Sequence, residues 1–254
     1  MSLPDWLDPE TEIINSQQPE AYKKLDKITK SIVFILESYK SLHKCNSLLT
    51  TKQIFWIIGN ANAETGWGGS WNGYNFGGWK INKYFAESYK RRYGKSAPWY
   101  QAAGHIASGD DPIVYYRGYM EPSHFYREWL ERFVPSIPNI KDSRYNKTGE
   151  AFWKLEDLWF RELCLAGYKG PVTQNNPDDS FDSWKKIVYR SQVIVAQHLL
   201  GIKIDGAWGA KSSTACLAFQ NGHNLVKDGK PNFETLSLLI KDWEDKGSTL
   251  VVNI

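Results

Sequence analysis

Apolar residues recur along this chain at helical spacing more often than at the alternation of a strand. Ile54, Ile57, Ile58 and Ala61 fall three and four apart, which predicts a helix from Thr51 with one buried face. Thr50 and Gln53 have the spacing of a capping box at its start. Gly66, Gly68 and Gly69 end it within a residue or two of Glu64. Upstream, Leu25, Ile28, Ile32, Ile35, Leu36 and Tyr39 mark an amphipathic helix over 21–43. Residues 1–19, with Pro4, Pro9 and Pro19, read as an irregular arm. Downstream, helices are expected over 84–93, 122–134, 151–165 and 181–189, the last running on toward the next unit. A short strand is expected at 113–119, where β-branched and aromatic residues gather.

Beyond Arg190 the pattern changes. Asp205-Gly206 and Asp228-Gly229 repeat at a period of 23 residues, each followed by an apolar helical stretch. Thr235 is placed as a hydroxyl cap before Leu236, Leu239 and Ile240. Two copies of loop plus helix predict a small three-helix unit and not a solenoid. The chain is therefore divided into a unit of 1–188 and a unit of 189–254, with the whole mainly α.

Composition narrows the classes. The 254 residues are 42% hydrophobic and 23% charged, as in a globular protein with a sizeable core. No apolar run approaches the ~20 residues of a membrane span, so no membrane span is expected. The start, Met-Ser-Leu-Pro-Asp-Trp, lacks the basic and apolar regions of an export signal. A net charge of +3 is too small to argue for nucleic acid, but it suits approach to an anionic polymer. Three separated cysteines and five scattered histidines indicate neither a disulfide framework nor a metal site, and no cofactor is expected. Twelve tryptophans and fourteen tyrosines exceed ordinary use. Cores claim most such rings, and the surplus in Gly- and Asn-rich loops suits flat platforms for sugars.

The chemistry centres on Glu64. A carboxyl at the negative end of a helix dipole, beside Trp67 and Trp71, is disfavoured in its ionised form, which raises its pKa. A carboxylic acid still protonated near neutral pH is what glycoside cleavage requires, because the departing sugar oxygen must receive a proton.

Two resemblances give these features a setting. Val195-Ala196-Gln197, Ile204-Asp205-Gly206-x-Trp208-Gly209, Ala215-x-x-x-Phe219-Gln220 and Asp228-Gly229 resemble the peptidoglycan-binding domain of the three-helix type. Asn232 stands where its second glycine is usual, a substitution the left-handed tolerance of Asn would allow. The resemblance implies wall-binding roles for Asp205, Trp208, Phe219 and Gln220. Ala61-x-x-Glu64-Thr65-Gly66-Trp67-Gly68-x-Ser70 is similar to the AxxE(S/T)GWGxS pattern of the glucosaminidase family of lysozyme-like hydrolases, glycoside hydrolase family 73. Asn75–Lys80, Tyr116-Arg117-x-Tyr119, Arg144-Tyr145 and Ala166–Pro171 follow in the family's order.

This second resemblance implies a lysozyme-like domain with a small β element. Glu64 is then the acid, Tyr168 the active-site tyrosine, and Trp67, Trp71, Asn75, Trp79, Tyr116 and Arg117 line the cleft, with the last two stabilising its wall. The family's second carboxylate has no counterpart at the right spacing; Asp110 and Asp111 are the available candidates. Substrate assistance by the 2-acetamido group and a lytic transglycosylase outcome stay open. So does a non-catalytic wall-binding protein of the same shape.

The implied protein is a monomer acting on bacterial peptidoglycan in the periplasm or wall of a target cell, as an N-acetylglucosaminidase or muramidase. It would serve as a phage endolysin, or as a secreted antibacterial effector with an immunity protein and a secretion machine as partners.

Overall fold

The computed structural model describes residues 5–12, 22, 24–68, 74–76, 79, 81–103, 113–136, 144–166, 168 and 177–247, side chains at 101–103, 113–116 and 177 apart. Among them are nine α-helices and one hairpin: α1 Lys27–Cys45, α2 Thr51–Thr65, α3 Lys83–Tyr93, β1 Trp99–Ala103, β2 Ile113–Arg117, α4 Pro122–Phe133, α5 Asn146–Trp153, α6 Trp159–Leu165, α7 Pro177–Leu199, α8 Ala210–Gly222 and α9 Phe233–Asp245. The protein is mainly α.

The capping box at the start of α2 is formed: Thr50 accepts from the Gln53 N–H, and the Gln53 side chain accepts from the Thr50 N–H at 2.9 Å. The one-sided burial expected of this helix is not what forms. Twelve of its fifteen residues are buried, because α1, α7 and α9 all pack on it. A helix enclosed on nearly every side belongs at the centre of a domain. The closest approach is at Gly59, where a Cβ would lie 2.5 Å from Cγ2 of Val188 on α7. Trp184 of α7 donates its indole N–H to the Trp56 carbonyl, and Asn62 donates to the Ser191 hydroxyl.

Around Trp56 the core is built of stacked and tilted rings. Trp159 lies parallel to Trp56 at 5.4 Å, and Phe160 parallel to Trp184 at 4.8 Å. Trp56, Trp99, Trp129, Trp159 and Trp184 are all buried, so much of the tryptophan surplus serves packing.

Several expected boundaries move. The first long helix begins at Lys27 and not at residue 21, because Asp26 caps it by accepting from the N–H groups of Ile28 and Thr29. Ile28 is consequently exposed. The single helix expected over 151–165 is two, α5 and α6, separated by a turn in which Leu155 adopts a φ of 59°. The break sets the rings of Phe152 and Trp159 5.3 Å apart on the same core. The strand near 113 pairs antiparallel with β1, Trp99 opposite Arg117; β1, with its two alanines, gave no strand signal.

Helix α7 runs from Pro177 to Leu199, so the division placed at 188 falls inside one continuous helix. Leu236, Leu239 and Ile240 of α9 belong to the same buried cluster as the α2 residues, and Phe233 lies 6.3 Å from Phe55. The 23-residue repeat is realised as two copies of one device. Gln197 and Gln220, each on the helix before its turn, donate to Asp205 and Asp228 respectively and to a hydroxyl, Ser212 or Thr235. The Gln197 amide oxygen accepts the N–H groups of Asp205 and Gly206, and that of Gln220 accepts the Gly229 N–H. The cap of α9 is Asn232, which accepts from the Thr235 N–H; the Thr235 hydroxyl serves Gln220 instead. Asn232 has φ −65°, and its counterpart Gly209 φ −112°. Asparagine therefore replaces glycine there as a helix cap, with no left-handed residue needed.

Alanine at position 59 tests the close crossing. Alanine ordinarily gains ~1 kcal/mol over glycine inside a helix. Gly59→Ala is expected to lose about 1–3 kcal/mol instead, through overpacking against Val188. Urea unfolding of Gly59→Ala, Val188→Ala and the double variant should show a favourable coupling between the two sites.

Candidate active site

Glu64 is the penultimate residue of α2. The helix ends on Gly66 at φ 59°, and Trp67 and Gly68 continue in the left-handed region at 63° and 75°. Three local bonds hold this run. Thr65 donates its hydroxyl to the Ala61 carbonyl at 2.8 Å and accepts from the Gly68 N–H at 3.0 Å. The Trp67 N–H reaches the Asn62 carbonyl at 2.9 Å. From outside, Tyr22 donates to the Gly68 carbonyl at 2.9 Å. A Cβ at Gly68 would lie 2.6 Å from that tyrosine oxygen and 2.7 Å from Cβ of Phe34, so glycine is demanded there twice over.

The Glu64 side chain is half-buried. Burial pushes its carboxyl up from the ordinary 4.5 to about 7, against a smaller downward pull from Tyr168. The Tyr168 hydroxyl donates to Oε1 of Glu64 at 3.3 Å and accepts from the Asn60 amide at 2.6 Å. Oε2 makes no hydrogen bond to a described residue. Tyr168 is buried, its ring edge-on to Phe133 at 4.9 Å. Its own pKa is raised by burial and by the Glu64 charge, so it stays a neutral donor. The result is a carboxylic acid that titrates near neutrality, with one oxygen held by a neutral hydroxyl and the other without a hydrogen bond to a described residue.

Other predicted site residues take several places. Trp67 and Trp79 are half-buried, and Trp79 packs on Phe125 and Phe133 at 5.1 and 5.7 Å. The Asn75 amide is spent on the Trp79 backbone, accepting from its N–H and donating to its carbonyl, both at 2.9 Å. Arg117 is buried and ion-paired with Glu128, which also accepts from Tyr119 at 2.7 Å. Tyr116 pairs with Tyr100 in the hairpin. Trp71, Asp110 and Asp111 lie outside the described residues, as does Lys80.

In the C-terminal part, Asp205 and Gln220 are engaged in the repeated turns. Trp208 donates its indole N–H to the Gly229 carbonyl, and Phe219 stacks on His223 at 4.1 Å. Sequence reasoning missed Asn60, whose amide donates to the Tyr168 hydroxyl at 2.6 Å. Asn60 had a signal, as a polar residue four before Glu64 on an apolar helix, hence on the same face.

Among the described residues, no group of three or more His, Cys, Asp or Glu is placed to hold a metal, and no helix is long and apolar enough to cross a membrane. Searches against family models, curated proteins and solved structures return no match for the chain.

The raised pKa has a consequence for stability. Folded Glu64 keeps its proton up to about pH 7, whereas the unfolded carboxyl releases it near 4.5. Between those values the native state binds more protons, so stability falls as pH rises through that window. Glu64→Gln removes the loss. Urea unfolding should show variant and wild type nearly equal at pH 4.5, with the variant ahead by about 2–3 kcal/mol at pH 8. A difference independent of pH would contradict the burial of Glu64.

Proposed function

We propose that this protein cleaves the glycan strands of bacterial peptidoglycan, with Glu64 as the general acid. The observation that carries the reading is the half-buried carboxyl at the end of α2, raised to about 7 and held through one oxygen by Tyr168. The sequence around it, Glu64-Thr65-Gly66-Trp67-Gly68, resembles the acid motif of the glucosaminidase family. In this mechanism the Glu64 proton passes to the glycosidic oxygen as the bond to the anomeric carbon breaks. Tyr168 fixes the rotamer of the carboxyl through Oε1, and its bond to the resulting carboxylate strengthens as charge develops there. Trp67, half-buried three residues beyond Glu64, is the ring placed to pack on a sugar. The segment from Ser191 onward, with its resemblance to peptidoglycan-binding domains, adds affinity for the wall.

A specific feature favours lytic transglycosylation as the second reading. The described hydrogen-bond partner of Glu64 is a neutral phenol and not a second carboxylate. A lone acid can be followed by closure of the muramyl 6-hydroxyl onto the anomeric carbon, its proton returning to the Glu64 carboxylate, which yields an anhydro-sugar where hydrolysis yields a reducing end.

Purified sacculi test both readings. Glu64→Gln keeps the shape and loses the proton, so release of soluble muropeptides should fall ~10²-fold or more. Wild-type activity should decline as pH rises above about 7, the value at which Glu64 loses its proton. Mass spectrometry of the products separates hydrolysis from transglycosylation. Unchanged release by Glu64→Gln would remove Glu64 from the chemistry.

A further inference from the structure

Glu64 is joined to the core by a chain of polar groups in which every hydrogen bond runs in one sense. Asn60 stands one helical turn before Glu64 on α2, hence on the same face. It is buried, only 3% exposed. Its amide donates to the Tyr168 hydroxyl at 2.6 Å, and that hydroxyl donates to Oε1 of Glu64 at 3.3 Å. The Asn60 carbonyl oxygen is buried as well and makes no hydrogen bond to a described residue.

Other contacts already place the Tyr168 ring. Its backbone N–H reaches the Leu163 carbonyl at 3.2 Å, and its ring packs edge-on to Phe133 at 4.9 Å. What those contacts leave undecided is the hydroxyl proton, because a phenol O–H turns toward whatever acceptor it meets. With the Asn60 amide donating to the phenol oxygen, the acceptor left to Tyr168 among the described residues is Glu64. An acceptor at position 60 would reverse the chain: Tyr168 would donate to it, and a proton on Oε1 would be spent on the phenol oxygen. Buried carbonyl oxygens are seldom left unpaired. Here the unpaired oxygen goes with turning the amide nitrogen toward Tyr168.

We propose that Asn60 is a positioning residue for the acid: by donating to Tyr168 it aims the phenol proton at Oε1, so that the acid proton of Glu64 resides on Oε2. The gap between Tyr168 and Oε1 already holds one proton and has no place for a second. Oε2 makes no hydrogen bond to a described residue, so a proton there is not tied up within the protein. This deepens the reading of Glu64 as a general acid, and rests on it.

The effect of losing Asn60 on the titration of Glu64 has a definite sign. Among the described residues, Tyr168 is the titratable group that acts on Glu64, and its hydrogen bond favours the carboxylate. Without the Asn60 donor, Tyr168 binds the carboxylate less strongly and becomes free to accept from the protonated acid. Both changes favour the protonated form.

The test uses the full chain carrying Asn60→Leu, close in size and unable to donate or accept, and in parallel Asn60→Ala, which adds no atoms to repack. On soluble peptidoglycan fragments each should lower kcat about 5–10-fold with KM unchanged. Each should also move the alkaline limb of the pH–activity profile upward by about 0.5–1 pH unit. Tyr168→Phe should move the limb the same way. In that background Asn60→Leu should add nothing, because the phenol through which it acts is gone.

Carbon-13 NMR titration of the Glu64 carboxyl reads the same shifts without turnover. A titration that stays in place or moves downward overturns the inference, whatever happens to stability or rate. So does a full shift from Asn60→Leu in the Tyr168→Phe background. Cleavage by Glu64→Gln at the wild-type rate overturns the reading of the acid instead, while the NMR titration still decides whether Asn60 acts on Glu64 through Tyr168.

Discussion

The site depends on a helix that has almost no face toward water. Helix α2 is enclosed by α1, α7 and α9, and apart from Lys52 in its first turn only its last residues emerge. Glu64 leaves the packed interior at that point, with the helix carbonyls behind it and the Gly66–Gly68 run in front. Burial raises its pKa because the charged form gives up hydration that its surroundings replace with one hydroxyl. A surface helix with the same sequence at its end would present an ordinary carboxylate. The chemistry of Glu64 is thus a property of the packing of α2 and not of the residues beside it in sequence.

That packing is unusually intimate at one point. Gly59 lets α7 approach so closely that Val188 occupies the space of a Cβ. From there α7 continues past the site, placing Ser191 against Asn62 and Arg190 over Trp67. The helix that closes the core of the first unit also carries the first grip of the repeated turns, through Gln197. Position of the acid, exposure of Trp67 and orientation of the C-terminal turns are therefore set by one helix, and a change at its crossing with α2 would be felt at all three.

How much of this was legible in the sequence follows from how local each feature is. The capping box of α2, its end near Glu64 and the period of 23 residues are encoded within a few residues or by simple repetition, and they could be read directly. The burial of α2 on nearly all sides could not, because Gln53, Asn60 and Asn62 look like a polar face until their partners Phe152, Tyr168 and Ser191 arrive from ~100 or more residues away. The break between α5 and α6 was hidden because a turn with Leu155 in the left-handed region carries no glycine or proline to announce it. Strand β1 was hidden because alanine has little β preference and its pairing is settled by β2.

The repeated turns show why a motif identifies architecture more readily than contact. Gln197 with Asp205, and Gln220 with Asp228, recur because each glutamine amide ties a tight turn, accepting from its backbone and donating to one oxygen of its aspartate. The left-handed glycines Gly206 and Gly229 make that geometry possible. Gln220 therefore has its amide committed before any ligand approaches, whereas exposed Asp205 spends only Oδ1 on its turn. Trp208 is half-committed, with its N–H on the Gly229 carbonyl and its ring only partly covered. Asn75 likewise spends its amide on the Trp79 backbone, and Arg117 is ion-paired with Glu128. Oε2 of Glu64 makes no hydrogen bond to a described residue. That difference matters because a hydrogen-bonding group already satisfied by the fold gains little by exchanging one partner for another.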